Sequence, residues 1–184
     1  TNVKRVYARE RGQSFPETDG MITDVPGICL VTSYADCVPL YFVDPVKKVI
    51  GLSHSGWRGT VGKIGKVTVE KMEEEFGCDP ADILGAVGPS ICQDCYEVSE
   101  DVIKKFRENY DENLWPEIFY QKENGKYQLN LWKANESVFL ESGILPEHIA
   151  VTNVCTHCNP DILFSHRTTG NERGTLSAFL ALKK

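Results

Sequence analysis

The sequence predicts an α/β fold of the α+β kind, with strands and helices interleaved around mixed-sheet cores. Three observations carry that expectation. Short β-rich runs recur at residues 27–32, 38–43 and 49–53, a composition that suits a pleated, half-buried surface. After Gly59 the apolar residues switch to helical spacing, and that change of period marks a strand-to-helix boundary. Two late apolar runs, 149–154 and 175–182, supply further strands after the last predicted helix.

Taken in order, Asp44-Pro45-Val46-Lys47-Lys48 joins the runs 38–43 and 49–53 as a hairpin with a proline-containing turn. A helix is expected over residues 60–76, with Val61, Ile64, Val67, Thr68 and Met72 on one face and Gly77 as its C-terminal cap. Asp79-Pro80 reads as an N-cap followed by proline at the first position of a short turn, before a strand over 83–87. Ser99 caps a second long helix whose first turn carries Glu100 and Asp101, with Val102, Ile103, Phe106 and Tyr110 inward. Asn130 caps a third, closed by Gly143. No repeat, low-complexity tract or linker divides the chain, so residues 1–184 are expected to share one domain.

Composition excludes several classes of function. The 26 acids and 20 bases are interspersed, giving a net charge of -6 without a basic stripe, so neither nucleic acid nor an anionic membrane is an expected partner. No run approaches the ~18–20 apolar residues that cross a bilayer, and the start lacks a signal-peptide hydrophobic region; a cytoplasmic protein with a small-molecule substrate is the expectation. Seven cysteines, an odd count, argue for reactive or metal-bound thiols rather than a disulfide framework.

The hairpin then draws attention to Cys37 and His54. A turn centred near Pro45 or Val46 pairs residues whose numbers sum to roughly 91 or 92, setting Cys37 opposite His54 or Ser55. A thiolate and an imidazole at a cross-strand distance of ~5 Å could bind one metal ion or act as a nucleophile pair; equally, an ordinary buried thiol and a satisfied strand-end histidine would look the same. Asp36 precedes the cysteine, and Ser53-His54-Ser55-Gly56-Trp57-Arg58-Gly59 sets a cation and two glycines ahead of a helix. Free N–H groups there, with Arg58 for bidentate contact, make an anion site, unless Arg58 is a surface guanidinium stacked on Trp57.

Four segments in order carry a resemblance: Tyr34-Ala35-Asp36-Cys37-Val38-Pro39-Leu40, His54-Ser55-Gly56-Trp57-Arg58-Gly59, Gly88-Pro89-Ser90-Ile91 with Cys95-Tyr96-Glu97-Val98, and Phe164-Ser165-His166-Arg167. Together with Asp19-Gly20 they resemble the polyphenol oxidoreductase, or laccase-domain, family, described as purine nucleoside phosphorylases with adenosine deaminase side activity. The resemblance implies two mixed β-sheets flanked by helices in an α/β/β/α layering, similar to the catalytic domain of cytotoxic necrotizing factor toxins. It implies a zinc ion on Cys37 and His54, catalytic roles for Cys37, His54 and Arg58, and substrate contacts from Asp36, Arg58, Ser90 and Arg167. Purine nucleoside, namely adenosine, inosine or methylthioadenosine, and phosphate are the implied partners. In the family a third ligand is a histidine in an upstream Q-x-H segment; Thr1-Asn2-Val3 resembles the residues just after that segment, so an absent N-terminal stretch is expected. A multicopper oxidase needs about ten imidazoles; this chain has four histidines, so zinc is expected over copper.

Two alternatives remain open. One is a metal-free cysteine hydrolase with Cys37 as nucleophile and His54 as base. The other is a non-catalytic zinc or redox module on the pairs Cys92-Gln93-Asp94-Cys95 and Cys155-Thr156-His157-Cys158. Paired motifs of this kind in zinc ribbons lie about 15–20 residues apart. These pairs are much further apart in sequence, so the expectation is that they do not form a joint site, with Cys155 in a strand, and Cys158 and His157 in a loop. Cys92 also stands where the family more often has glycine.

Overall fold

A computed structural model describes residues 1–183. Its elements are β1 (Val3–Arg5), β2 (Gly20–Thr23), β3 (Cys29–Tyr34), β4 (Val38–Asp44), β5 (Val49–Ser55), α1 (Trp57–Val61), α2 (Ile64–Phe76), β6 (Leu84–Val87), β7 (Glu97–Val98) and α3 (Glu100–Asn109). Then come α4 (Trp115–Ile118), β8 (Phe119–Gln121), β9 (Tyr127–Leu129), α5 (Leu131–Glu141), β10 (Ile149–Val151), α6 (His166–Thr169) and β11 (Leu176–Ala181). No helix among the described residues is long and apolar enough to cross a membrane.

The fold is α/β, with a six-stranded sheet in the order β1-β2-β5-β4-β6-β10 at its centre. That sheet is mixed: β1 runs parallel to β2 and β10 to β6, while β2, β5, β4 and β6 pair antiparallel. Two smaller antiparallel sheets, β11-β3 and β7-β9-β8, complete the strands. β4 and β5 are buried along nearly their whole length, which explains why both read as apolar runs: their two faces are covered. One face meets the helices through a core that includes Phe42, Ile64, Met72, Ile103, Phe106 and Phe139. The other meets β3 and β11 through Leu30, Tyr34, Ile50, Leu52 and Ala178.

Local chemistry explains the elements that the sequence predicts. The Asp44 carboxylate accepts from the N–H groups of Val46 and Lys47, both at 2.8 Å, and fixes the hairpin turn. Gly77 ends α2 in the left-handed conformation at φ 64°. Asp79 and Asn130 cap as expected, accepting from Ala81 and Lys133 at 3.0 Å each. Ser99 instead turns its hydroxyl to the Asp101 carboxylate.

The predicted helix over 60–76 is two helices. α1 begins a turn earlier and the chain breaks at Gly62-Lys63, where Lys63 adopts φ 52°. Part of what the break costs is recovered at the Thr60 carbonyl, which accepts from the Tyr110 hydroxyl at 2.7 Å. Strands β1, β2 and β7 to β9, of two to four residues each, are not among the predicted strands; runs so short are too brief for an alternation to register.

Phe139 is the keystone between α5 and the sheet, packed edge-on against Phe42 with ring centroids 5.2 Å apart. Gly85 makes room for it, since a Cβ there would lie 2.9 Å from the Phe139 ring. Phe139→Ala should therefore destabilise the protein by about 3–5 kcal/mol, read as a lowered midpoint in urea denaturation.

Candidate functional site

The β4–β5 hairpin sets Pro39 opposite His54 and Val38 opposite Ser55, a step beyond the register expected from the turn. The expected direct opposition of Cys37 to His54 or Ser55 is thus corrected. Cys37 lies just outside the ladder, two residues before Pro39, so in an extended chain it is the diagonal neighbour of His54 on the same face. The shift arises because the turn takes up Pro45 to Lys48, with Lys48 at φ 57°. Cys37 leans across the hairpin end: a Cβ on Gly56 would lie 3.0 Å from its Sγ. A larger residue at 56 would press on this sulfur unless the Cys37 side chain gave way.

Asp36 sits at φ 78° and is 8% exposed. Its carboxylate accepts from the Thr156 hydroxyl at 2.6 Å and from the Arg167 N–H at 2.7 Å, while its carbonyl accepts from the Ile91 N–H at 3.1 Å. Asp36, Cys37, Gly56, Trp57, Arg58 and Tyr96 line one cavity of about 150 Å³. That is smaller than the ~300–1,000 Å³ of most ligand pockets, room for part of a small molecule such as a phosphate group. The Arg58 guanidinium stacks on Trp57 at 4.3 Å, yet it also borders the cavity, and no carboxylate among the described residues lies within salt-bridge distance of it. Beneath this loop, Ser55, Thr60 and Asn135 form a buried hydrogen-bonded network at 2.9–3.2 Å that fixes the turn into α1.

The remaining predicted residues fall into different places. His54 is seated against Tyr34, ring centroids 4.9 Å apart, and opens onto a separate groove of about 600 Å³ between β3 and the segment around residues 10–18. Ser90 is fully buried; its hydroxyl donates to the Gly88 carbonyl at 3.2 Å and accepts from Trp132 Nε1 at 2.6 Å. It is not among the residues lining the cavity, whereas the next residue, Ile91, is. Arg167 sends its guanidinium to the Glu97 carbonyl at 2.9 Å, with its charge 5.4 Å from the Tyr96 ring. His157 bonds Thr168 at 2.8 Å, and His166 lies against the Gly170 carbonyl at 3.2 Å.

Tyr96 and Arg173 are not singled out by the sequence. Burial, then the nearby Cys37, pushes the Tyr96 hydroxyl up to about 12, with Arg167 and Arg58 opposing, so it stays a hydrogen-bond donor at neutral pH. Burial and the Asp36 carboxylate push the Cys37 thiol up, and Arg173 pulls it down less. A nucleophilic cysteine calls for a shift in the opposite direction. Burial holds His54 below its ordinary value despite Asp19, favouring the neutral imidazole that can ligate a metal.

For zinc, Cys37 and His54 are a soft sulfur and a neutral imidazole, chemically suitable donors, but Cys37 lines the Asp36 cavity while His54 lines the separate β3 groove, and a catalytic zinc takes three donors from protein. The two C-x-x-C pairs are expected from their separation in sequence not to assemble, and the structure corrects this. The sulfur atoms of Cys92, Cys95, Cys155 and Cys158 all lie within 4.8 Å of one another. Ser90 bridges to Cys155 as an isolated parallel pair, and that pairing, invisible in sequence, joins the two motifs. The expectation for Cys155 is also adjusted: it is buried, but just beyond β10 rather than within it.

Comparison with known proteins gives a consistent picture. The family model for multi-copper polyphenol oxidoreductase laccase matches residues 1–183. Purine nucleoside phosphorylase YlmD of Bacillus subtilis is 35% identical over 190 residues, covering 99% of this chain and 67% of its own length. Adenosine deaminase RL5, from an unknown prokaryotic organism, is 35% identical over 165 residues, covering 90% of this chain and 62% of its own. The chain therefore spans about two thirds of the length of these relatives. The crystal structure of the Bacillus licheniformis hypothetical protein YfiH superposes with a TM-score of 0.95 at 33% identity, over 99% of this chain and 70% of that one. With the fold and the whole described length both matched, the chain belongs to the polyphenol oxidoreductase laccase family.

Proposed function

We propose that this protein is a zinc-dependent purine nucleoside phosphorylase that cleaves adenosine, inosine and methylthioadenosine, with adenosine deaminase activity at the same site. The observation that carries the reading is the cavity where Asp36, Cys37, Arg58 and Tyr96 meet. It joins an unpaired cation, fit for a phosphate, to a neutral phenol that can donate to a purine or ribose oxygen or nitrogen. The names of the relatives YlmD and RL5 support the two activities.

In phosphorolysis a phosphate oxygen attacks the anomeric carbon of the ribose and the glycosidic C–N bond breaks. The bonding pair leaves with the purine, which takes up a proton, and ribose 1-phosphate remains. Arg58 holds the phosphate, helped by the first-turn N–H groups of α1, which Gly56 leaves without a side-chain cap. Tyr96, kept protonated, orients the nucleoside. Asp36 positions Arg167 and the Cys37 segment rather than acting on substrate directly. Zinc held by Cys37, His54 and a third donor would supply a Lewis acid for the nucleoside or a bound water for attack at adenine C6.

The test is phosphate-dependent release of hypoxanthine from inosine. Absence of release from inosine, repeated with adenosine, rejects the reading. Arg58→Ala should lower kcat/KM for phosphate by about 30–150-fold, the worth of one charge-assisted hydrogen bond of about 2–3 kcal/mol, measured by initial rates over a phosphate series.

His54 adds a pH signature. Its pKa is lowered in the folded protein, so the unfolded chain takes up a proton near its ordinary value of about 6.5 while the folded chain does so only at lower pH. The contribution is complete above about pH 6.5 and is lost as pH falls toward the folded value. Urea midpoints tracked downward through that window should fall, and the slope should flatten in His54→Gln.

A further inference from the structure

We propose that Cys92, Cys95, Cys155 and Cys158 form a structural zinc site that clamps together the two loops bordering the cavity. The site is separate from Cys37 and His54 and independent of the proposed reaction.

The geometry is that of a closed tetrathiolate. In a tetrahedral ZnS₄ centre with Zn–S of about 2.3 Å the sulfurs lie about 3.8 Å apart. Here all four sulfurs lie within 4.8 Å of one another, and Cys95 and Cys158 are 3.5 Å apart, so small side-chain rotations close the set. Each pair has the C-x-x-C spacing that lets one loop present two sulfurs. The Cys155 sulfur accepts from the N–H of Cys92 at 3.3 Å and of Cys158 at 3.4 Å. Such N–H groups neutralise part of the charge that four thiolates bring to a dication. An all-sulfur tetrahedral set selects zinc or an iron–sulfur cluster, not copper in nitrogen sites; zinc is the choice for a site that the cavity chemistry does not use. Binding transfers no electrons: four Zn–S bonds form and the thiols release their protons to solvent.

The consequence is positional. Cys95 precedes Tyr96, which lines the cavity, and Cys155 and Cys158 bracket the stretch containing Thr156, whose hydroxyl holds Asp36. Two loops more than sixty residues apart in sequence already meet through the Ser90–Cys155 bridge, the Cys92 N–H to Cys155 Sγ bond and the shared Asp36 contacts, and a metal clamp would fix both sides of the cavity at once.

The experiment is metal analysis with X-ray absorption on protein purified under reducing conditions without chelator. His54→Ala, which removes a donor of the hairpin site, should retain about one zinc per chain, with only sulfur neighbours at about 2.3 Å. Cys92→Ser/Cys158→Ser in the same background should lose it, while Cys29→Ser should not. Zinc removal from His54→Ala by a chelator should lower its thermal midpoint. If the double variant does not fold, the absorption spectrum of His54→Ala decides: four sulfur neighbours support the site, nitrogen or oxygen neighbours overturn it. No bound zinc, iron in its place, or a Cys95–Cys158 disulfide in the intact mass would each overturn it as well. Loss of phosphorolysis alone bears on the proposed reaction, not on this site.

Discussion

The interaction on which the rest of the site depends is the buried Asp36 carboxylate. It holds the Thr156 hydroxyl and the Arg167 N–H, residues 120 and 131 positions away in sequence, and its own carbonyl holds Ile91. A buried carboxylate is tolerable only when its oxygens are occupied, and here both are. The conformation has its own cost, since φ 78° is unfavourable for a residue with a side chain, though aspartate tolerates it better than most. Strain and desolvation are thus both carried at the point where the chain enters β4, next to Cys37. They secure a fixed meeting of three loops that have no regular pairing of their own.

The hairpin was legible because its signals are local. Asp44 and Pro45 between two apolar runs specify a turn, and the turn brings the neighbourhood of Cys37 to that of His54. Register was less legible, because it depends on how many residues the turn consumes, and Lys48 at φ 57° is not a choice that composition announces. A slip of one residue would have turned the two side chains to opposite faces; the observed difference leaves them diagonal. The glycines at 56 and 85 obey the same division. Their presence is plain in the sequence, but their reasons, the Cys37 sulfur and the Phe139 ring, are tertiary.

Ser90 and Tyr96 show how a motif can be found without its roles. Both stand in the segment that carries the family resemblance, and in one dimension both are equally open to a ligand. In the fold Ser90 turns inward to Trp132, because it opens a loop pressed between β4 and α5, whereas Tyr96, a few residues on, turns to the cavity. Burial is a property of the packed loop, and no local pattern encodes it.

The cysteines make the strongest case that sequence distance misleads. Spacing rules for zinc ribbons describe sites built from two neighbouring hairpins, where the intervening chain is itself short. Here the intervening chain is β7 through β10, with α3, α4 and α5 between them, and it returns because β10 pairs parallel to β6. A parallel pairing needs a long crossover, and strands joined in that way emerge from the same edge of the sheet. The loops after β6 and β10 therefore leave side by side, and each carries its C-x-x-C pair. The assembly of four sulfurs is in this sense a product of sheet topology, and the same topology delivers Tyr96 and Thr156 to the two sides of the Asp36 cavity.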